Sequence, residues 1–274
     1  MDNGIIEGRT KDRVVLRVRS GEPYSAEFTA EQIGALADVA ENYGSGAVHI
    51  TPRQTVEIPH VDRAALADAG EILARHGLYP GSSGRNLRNV TACSRWCLYN
   101  ASPMSDAARK LNSLLHRKAL PGKTNISLSG CAFSCVRSRT SDIGVIAQSE
   151  IMITDRKCKK CTLCVKEPLG CQVDAVTLTE QGVEIDRQKC VRCGFCSGIC
   201  RPGTIAARSR EFTILVGGHG GLMPREAVLH STVPSEEEAI QSVLAIVERY
   251  CALAGDGERI GDLIARLGMK ALEG

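Results

Sequence analysis

Aromatic side chains are scarce, at 4% of the 274 residues, with one Trp, five Tyr and four Phe. A surface that holds single-stranded nucleic acid by stacking its bases needs more of them. Charge of one sign is lacking too, since 34 Lys and Arg stand against 31 Asp and Glu, a net +3. Nucleic-acid binders carry a more lopsided basic charge, so that class is excluded. No run of about 18 apolar residues occurs, which excludes a helical membrane span. Met1, Asp2, Asn3 and Gly4 lack the basic-then-apolar layout of a secretory leader, so a cytoplasmic location is expected. Cysteine is absent before Cys93 and, Cys251 apart, after Cys200. What is abundant is cysteine within that window, where twelve of the 13 lie. A small disulfide scaffold would be denser still, at roughly 8–10% or more. Clustered thiols in a reducing compartment usually bind metal.

Outside the cysteine block the pattern is α+β. The stretch 13–19 (RVVLRVR) is Val-rich and partly alternating, as a strand requires. Thr29 stands as a helix N-cap, and Gln32 three residues on completes a capping box. Ile33, Leu36, Ala37 and Ala40 fall on one face of that helix, which Gly44 stops. Residues 47–58 read as a strand pair or a strand bent at Pro52. Asp62 caps a second helix that ends at Gly77. Further helices are expected over 105–116, after Ser235 and over 258–267. The acids Glu236, Glu237 and Glu238 suit a helix N-terminus. Residues 212–216 read as a buried strand leading into a glycine run. The chain divides into 1–80, 81–150, 151–207 and 208–274, the third part being the cysteine-rich insert.

Cys158, Cys161 and Cys164 form C-x2-C-x2-C, and Cys171 follows seven positions later. Cys190, Cys193, Cys196 and Cys200 form C-x2-C-x2-C-x3-C, followed by Arg201 and Pro202. A tight triplet holds one corner of an iron–sulfur cube, and the fourth ligand arrives from a distance. In two-cluster ferredoxins the last Cys of each run ligates the other cluster. That rule assigns Cys158, Cys161, Cys164 and Cys200 to one 4Fe-4S cluster. Cys171, Cys190, Cys193 and Cys196 hold the second. Zinc also uses C-x2-C pairs, but two triplets and two singles do not divide into such pairs. Upstream stand Cys93-x3-Cys97 and Cys131-x3-Cys135. Two such pairs could supply four thiolates to a third site; a disulfide, a structural zinc or two unrelated pairs fit the spacing as well. Trp96 is expected to pack over a cluster and shield it, and Cys251 to serve as a small apolar residue.

The block over 155–207 resembles a bacterial-type two-cluster ferredoxin, with six residues before Cys171 where three are usual. Residues 129–135 (SGCAFSC) with Asp142, Ile143 and Gly144 resemble the second cysteine motif of the sirohaem sulfite and nitrite reductases. Thr51-Pro52-Arg53-Gln54 is similar to that family's T-x-R-Q motif, Arg88-Asn89-Val90 to its R-N-V motif, and Leu120-Pro121-Gly122-Lys123 to its L-P-x-K motif. The run from Gly217 to Gly221, with Pro224 and Arg225, resembles its late glycine motif. These motifs cover nearly the whole chain in the family's order, and the inserted ferredoxin is similar to anaerobic and dissimilatory sulfite reductase subunits. The resemblance implies a ferredoxin-like N-terminal unit, a sirohaem and 4Fe-4S domain, and the inserted two-cluster domain. It implies sirohaem and three 4Fe-4S clusters, with Cys93, Cys97, Cys131 and Cys135 ligating the third. Cys135 would bridge that cluster to the sirohaem iron. Arg53, Arg88, Lys123 and Asn125 match substrate-binding positions. Arg53, Arg85 and Arg88, with Gly218, His219 and Gly220, are the expected sirohaem contacts.

The sequence departs from the family twice. The first cysteine pair is usually C-x5-C, and the sulfite-reducing branch usually has Lys where Asn125 stands. A neutral amide offers hydrogen bonds without charge, which suits monoanionic nitrite better than dianionic sulfite. The resemblance implies six-electron reduction of sulfite to sulfide, with nitrite to ammonia as the alternative. A non-catalytic iron–sulfur electron carrier is the rival of another class, and the cation trio Arg53, Arg88 and Lys123 speaks against it. No flavin or nicotinamide motif is visible, so an external low-potential donor is expected: a ferredoxin, a flavoprotein or a partner subunit. Assimilatory members contain two related halves around the sirohaem, and this chain has one copy. A homodimer or pairing with a related subunit therefore follows.

Overall fold

The computed structural model describes residues 4–8, 10–20, 27–99, 101–166 and 169–273. Residues 167 and 168, in the lengthened loop before Cys171, lie outside them. The N-terminal unit runs β1 (Ile5–Glu7), β2 (Arg13–Ser20), α1 (Ala30–Tyr43), β3 (His49–Ile50), β4 (Val56–Asp62), α2 (Leu66–Arg75) and β5 (Leu78–Pro80). β2 is the central strand, antiparallel to β4 on one side and to β1 and β5 on the other. Its alternation places Val14, Leu16 and Val18 on the buried face, against Leu36, Val39 and Leu73 of the two helices.

The capping box at Thr29 is present: the hydroxyl accepts from the Gln32 amide at 3.1 Å, and the Gln32 carboxamide accepts from the Thr29 amide. The buried stripe of α1, however, is Ala35, Leu36, Val39 and Ala40. Ile33 is 57% exposed and Ala37 is exposed, against the sequence expectation. Two overlapping sets satisfy helical spacing in this segment, and the sheet selects the one carrying Val39. Residues 47–58 contain a hairpin, β3 and β4, with Pro52 in its turn. Asp62 caps a 3-10 turn, Arg63–Ala65, that leads into α2.

The larger unit comprises β6 (Thr91–Ala92), α3 (Ser105–Leu115), β7 (Ile126–Ser129), β8 (Ile143–Ile153), β9 (Val176–Leu178), β10 (Val183–Ile185), α4 (Phe195–Ile199), β11 (Ile205–Val216), β12 (Val228–Val233), α5 (Glu236–Leu253) and α6 (Ile260–Leu267). Its sheet has the order β12-β11-β8-β7-β6, antiparallel from β12 to β8 and parallel from β8 to β6. All four residues of β7 are buried, as parallel strands covered on both faces require. Met104, Leu111, Leu128, Val145, Ile214, Val243 and Tyr250 belong to one core.

β8 and β11 pair from Ile143↔Val216 to Ile153↔Ile205. The cysteine insert sits at the far end of this ladder. The expected boundaries at 151 and 207 fall inside the two strands, whose pairing continues to Ile153 and Ile205. The core beneath the insert has five buried residues, Ile151, Cys164, Val176, Val183 and Ile205, one of them a proposed ligand. So small an apolar core rarely holds a chain by itself without metal or disulfides.

Leu111→Ala, at a fully buried position of α3, should cost about 2–5 kcal/mol of unfolding free energy. Ile33→Ala should change it by no more than about 0.5 kcal/mol, as exposed sites do. Urea denaturation checks both values, and the Ile33 result separates the observed α1 face from the one its sequence suggested.

Candidate cofactor and anion site

The residues of the T-x-R-Q and R-N-V motifs meet each other. In the β3–β4 turn the Thr51 and Thr55 hydroxyls are 2.7 Å apart, and the Arg53 and Thr55 amides both donate to Thr51 Oγ1. Gln54 reaches across to β6: its Oε1 accepts from the Ala92 amide at 3.0 Å, and its Nε2 donates to the Ala92 carbonyl. Asn89 Nδ2 donates to the Arg53 carbonyl at 2.9 Å. Asn112 of α3 pairs with both backbone groups of Val90. These amides hold the Arg53 turn against the strand that leads into Cys93.

Beside that clasp lies a cleft of about 280 Å³, walled by Arg53, Lys123, Asn125, Arg137 and Arg259 together with Val136, Ser141, Gly220 and Gly221. Arg53 Nε donates to Asn125 Oδ1 at 3.3 Å. Buried Asp142 accepts from the Asn125 amide at 2.8 Å and from Arg259 through two bonds of 3.0 and 2.6 Å. Burial pushes the Asp142 carboxyl up against the pull of Arg259. The loop carrying Lys123 is anchored by Tyr250, whose hydroxyl accepts from the Gly122 amide at 2.8 Å and donates to the Glu258 carbonyl at 2.6 Å. A Cβ at position 122 would lie 2.4 Å from that carbonyl, so only glycine fits. Partial burial lowers the pKa of Lys123 first, and the charges of Arg53, Arg88 and Arg259 lower it further. The cleft therefore holds a cation surplus crowded enough to favour an anion.

Of the residues singled out in the sequence, Arg53, Lys123, Asn125 and Gly220 wall this cleft, and Arg88 acts on Lys123 through its charge. Arg85 is not among the lining residues: it pairs with Asp256 at the surface, where the carboxylate occupies its guanidinium. Gly218 and His219 do not line the cleft either. Gly218 lets the chain pass close to the Ser141 carbonyl and the Ala227 amide, each 2.8 Å from where a Cβ would sit. His219 closes a tight hairpin with Arg225 through both backbone bonds. Sequence reading missed Arg137 and Arg259. Arg137 lies two residues after Cys135, a nearness that could have flagged it; nothing local marks Arg259.

The twelve cysteines converge as three foursomes. Cys158, Cys161, Cys164 and Cys200 line one cavity. Cys171, Cys190, Cys193 and Cys196 line a second, together with Tyr99 and Phe195. Cys93 interacts electrostatically with Cys97 and Cys135, and Cys131 with Cys93 and Cys97, which completes the third. Cys131 also feels Cys193, so the third foursome adjoins the second. Backbone amides donate to sulfur in each: Lys160 to Cys158 and Ile205 to Cys200, Ala175 to Cys171, and Gly130 to Cys93 at 3.0 Å. Such bonds stabilise thiolates and tune a cluster's potential. Burial pushes the Cys131 thiol up to about 11 and the Cys196 thiol up to about 12, with neighbouring cysteines adding to both. Thiolates so crowded need a bound metal to hold them deprotonated. Among the described residues no three His, Cys, Asp or Glu side chains could hold a single metal ion; a cubane spaces its ligands more widely.

These donor sets fit 4Fe-4S clusters, and the cationic cleft fits a carboxylate-bearing tetrapyrrole and a small oxyanion. Cys97 and Cys135 are exposed while Cys131 is buried, so the third foursome is open on one side. Val136, next to Cys135, is part of the cleft wall. Trp96 is 80% exposed, whereas the sequence reading expected it to be packed.

The family profile described as the nitrite and sulphite reductase 4Fe-4S domain matches residues 83–273. The nitrite/sulfite reductase ferredoxin-like half domain matches residues 7–76. An uncharacterized protein of Methanocaldococcus jannaschii is 30% identical over 89% of this chain and 85% of its own length. The beta subunit of a dissimilatory-type sulfite reductase from Nitratidesulfovibrio vulgaris is 25% identical, covering 93% of this chain and 74% of that one. The crystal structure of dissimilatory sulfite reductase I shares the fold, with a TM-score of 0.73 at 22% identity over 95% of this chain and 68% of that chain.

Because its pKa is lowered, Lys123 gives up its charge at a lower pH than an ordinary lysine. Anion affinity should be full below that value and decline as pH rises through it. Sulfite or nitrite affinity followed against pH should show this alkaline limb in the native protein and not in Lys123→Met. Below the limb the variant should bind on the order of 10–100-fold more weakly, the worth of one charged hydrogen bond.

Proposed function

Since the chain belongs to the nitrite and sulphite reductase family, we propose that it reduces sulfite to sulfide at a sirohaem coupled to a 4Fe-4S cluster. The observation that carries this reading is the cation-walled cleft at Arg53, Lys123 and Arg259, flanked by the open cysteine foursome at Cys135. Cys93, Cys97, Cys131 and Cys135 would hold the coupled cluster, and Arg53, Arg137 and Arg259 lie where macrocycle carboxylates can be neutralised. A bound sirohaem and its clusters supply substrate ligation and electrons one at a time. The chain supplies the rest. Arg53 presents a rigid fork to an oxyanion, and Lys123 a mobile charge with a proton to give. Fixed cations in a sheltered cleft stabilise negative charge as it grows on a departing oxygen. Asp142 holds Arg259 and Asn125 in place, and Tyr250 holds the loop of Lys123.

Pairing with a second copy or a related subunit is part of this proposal. Trp96, Leu98, Phe133, Leu222 and Met223 are exposed apolar side chains on the segments that carry the open cysteines and the glycine hairpin. Such surface is usually covered by a partner.

Asn125 favours a second reading, nitrite reduction, because it contributes an amide where a cation would serve a dianion. Asn125→Lys should then shift the ratio of sulfite to nitrite turnover toward sulfite, and an unchanged ratio would refute the charge argument. The main test is anaerobic purification with iron analysis and a visible spectrum. About 13 irons, 12 from three cubanes and one from sirohaem, with a sirohaem band and turnover of sulfite support the proposal. About 8 irons without that band would leave a two-cluster electron carrier instead.

A further inference from the structure

The loop that carries the first cysteine triplet is basic on both flanks. Arg156, Lys157, Lys159, Lys160 and Lys166 surround Cys158, Cys161 and Cys164, and Arg201 follows Cys200. All six are exposed. Among the described residues none of the six takes part in an ion pair, whereas arginines elsewhere on the surface are bound to carboxylates at Glu7, Glu27, Asp106 and Glu258. Lys160 Nζ is held by the Glu180 carbonyl at 3.0 Å, close against its own loop. At the centre of this rim Cys161 is itself exposed.

A second observation concerns order. The third foursome adjoins the ferredoxin insert through Cys131 and Cys193. Tyr99 reinforces that junction, with its ring 4.4 Å from Phe195 and 5.8 Å from Phe133. Cys164 feels the charges of Cys158, Cys161 and Cys200, and its carbonyl accepts from the Cys171 amide at 3.0 Å, so this set adjoins the second. The basic rim thus flanks the set of four that stands beyond the second along the chain of sites from the anion cleft, and one of its ligands, Cys161, is at the surface.

We propose that this rim is the docking surface for a small acidic one-electron carrier protein, and that electrons enter at Cys158, Cys161, Cys164 and Cys200. The proposal rests on the reading of the cysteines as cluster ligands. Each encounter moves one electron: the reduced carrier is oxidised by one electron, a cluster is reduced by one, and no bond or proton changes hands. Unpaired cations around an exposed redox centre steer an anionic partner and hold it over the ligand. A nucleic acid or membrane would be drawn by the same charge, but neither has an electron to deliver at Cys161.

The test uses the anaerobically purified holoprotein in a stopped-flow instrument, with acidic flavodoxin in its hydroquinone form as donor. Bleaching of the cluster absorption gives the rate. In the native protein the second-order rate should fall as salt is added. The K157E/K159E/K160E variant should be at least about tenfold slower at low salt and lose that salt dependence. A small zwitterionic viologen radical should reduce the variant at the native rate, which establishes that its clusters are intact. Arg75→Glu, on α2, should leave the flavodoxin rate unchanged. A flavodoxin rate indifferent to the three lysines, with normal viologen bleaching, overturns the docking surface and leaves the reductase reading standing. Absence of bleaching by either donor in the native protein overturns both.

Discussion

Asp142 has almost no exposure, and three segments distant in the chain are fastened to it. Asn125, at the start of β7, donates its amide; Arg259, ahead of α6, donates through both arms of its guanidinium. The Gly217 amide, opening the glycine hairpin, donates to the Asp142 backbone carbonyl at 2.9 Å. A carboxylate taken out of water is tolerated only when charge and hydrogen bonds replace the lost hydration. Satisfying it forces the start of β7 and the α6 terminus together, the backbone bond from Gly217 sets the glycine hairpin beside them, and their meeting place is the anion cleft. The cations of that cleft stay close despite mutual repulsion because the buried charge beneath them is negative.

A second set of constraints joins the two units. Gln54, Asn89 and Asn112 each use a side-chain amide to imitate or brace a strand, binding backbone where no strand partner exists. Two of them belong to motifs whose arginines, Arg53 and Arg88, wall the cleft or act on Lys123 by charge. The motifs therefore combine two parts: an arginine or lysine in or near the cleft, and an amide or glycine that fixes its carrier loop. A change at Gln54 or Gly122 would act on the site through the loop, without touching anything bound there.

The insert poses a different physical problem. Its apolar core is small, its cysteines are crowded, and burial alone disfavours their thiolate forms. The clusters proposed for these cysteines would answer both difficulties, since bound iron neutralises sulfurs and ties distant loops into one body. The long β8–β11 ladder supplies what the insert lacks, a rigid base rooted in the main core. It also sets the spacing between the second and third cysteine foursomes, where Tyr99, Phe133 and Phe195 fill the junction.

Much was legible without coordinates because iron–sulfur ligation depends on residue type and short spacing. The grouping of eight cysteines into two foursomes, the capping box at Thr29 and the cap at Ser235 follow from local rules that tertiary packing did not overturn. The cation cleft is another matter. Arg53, Lys123, Arg137 and Arg259 come from four segments, and an arginine carries no local mark of whether it will meet Asp256 at the surface, as Arg85 does, or a cleft. The buried face of α1 was ambiguous because two stripes met the same helical spacing, and contact with β2 chose between them. Family and cysteine grouping were written in short local motifs, whereas the sharing of one cleft by Arg53, Lys123, Arg137 and Arg259 was settled only by folding, because contacts such as Asp142 with Arg259 join positions far apart in the chain.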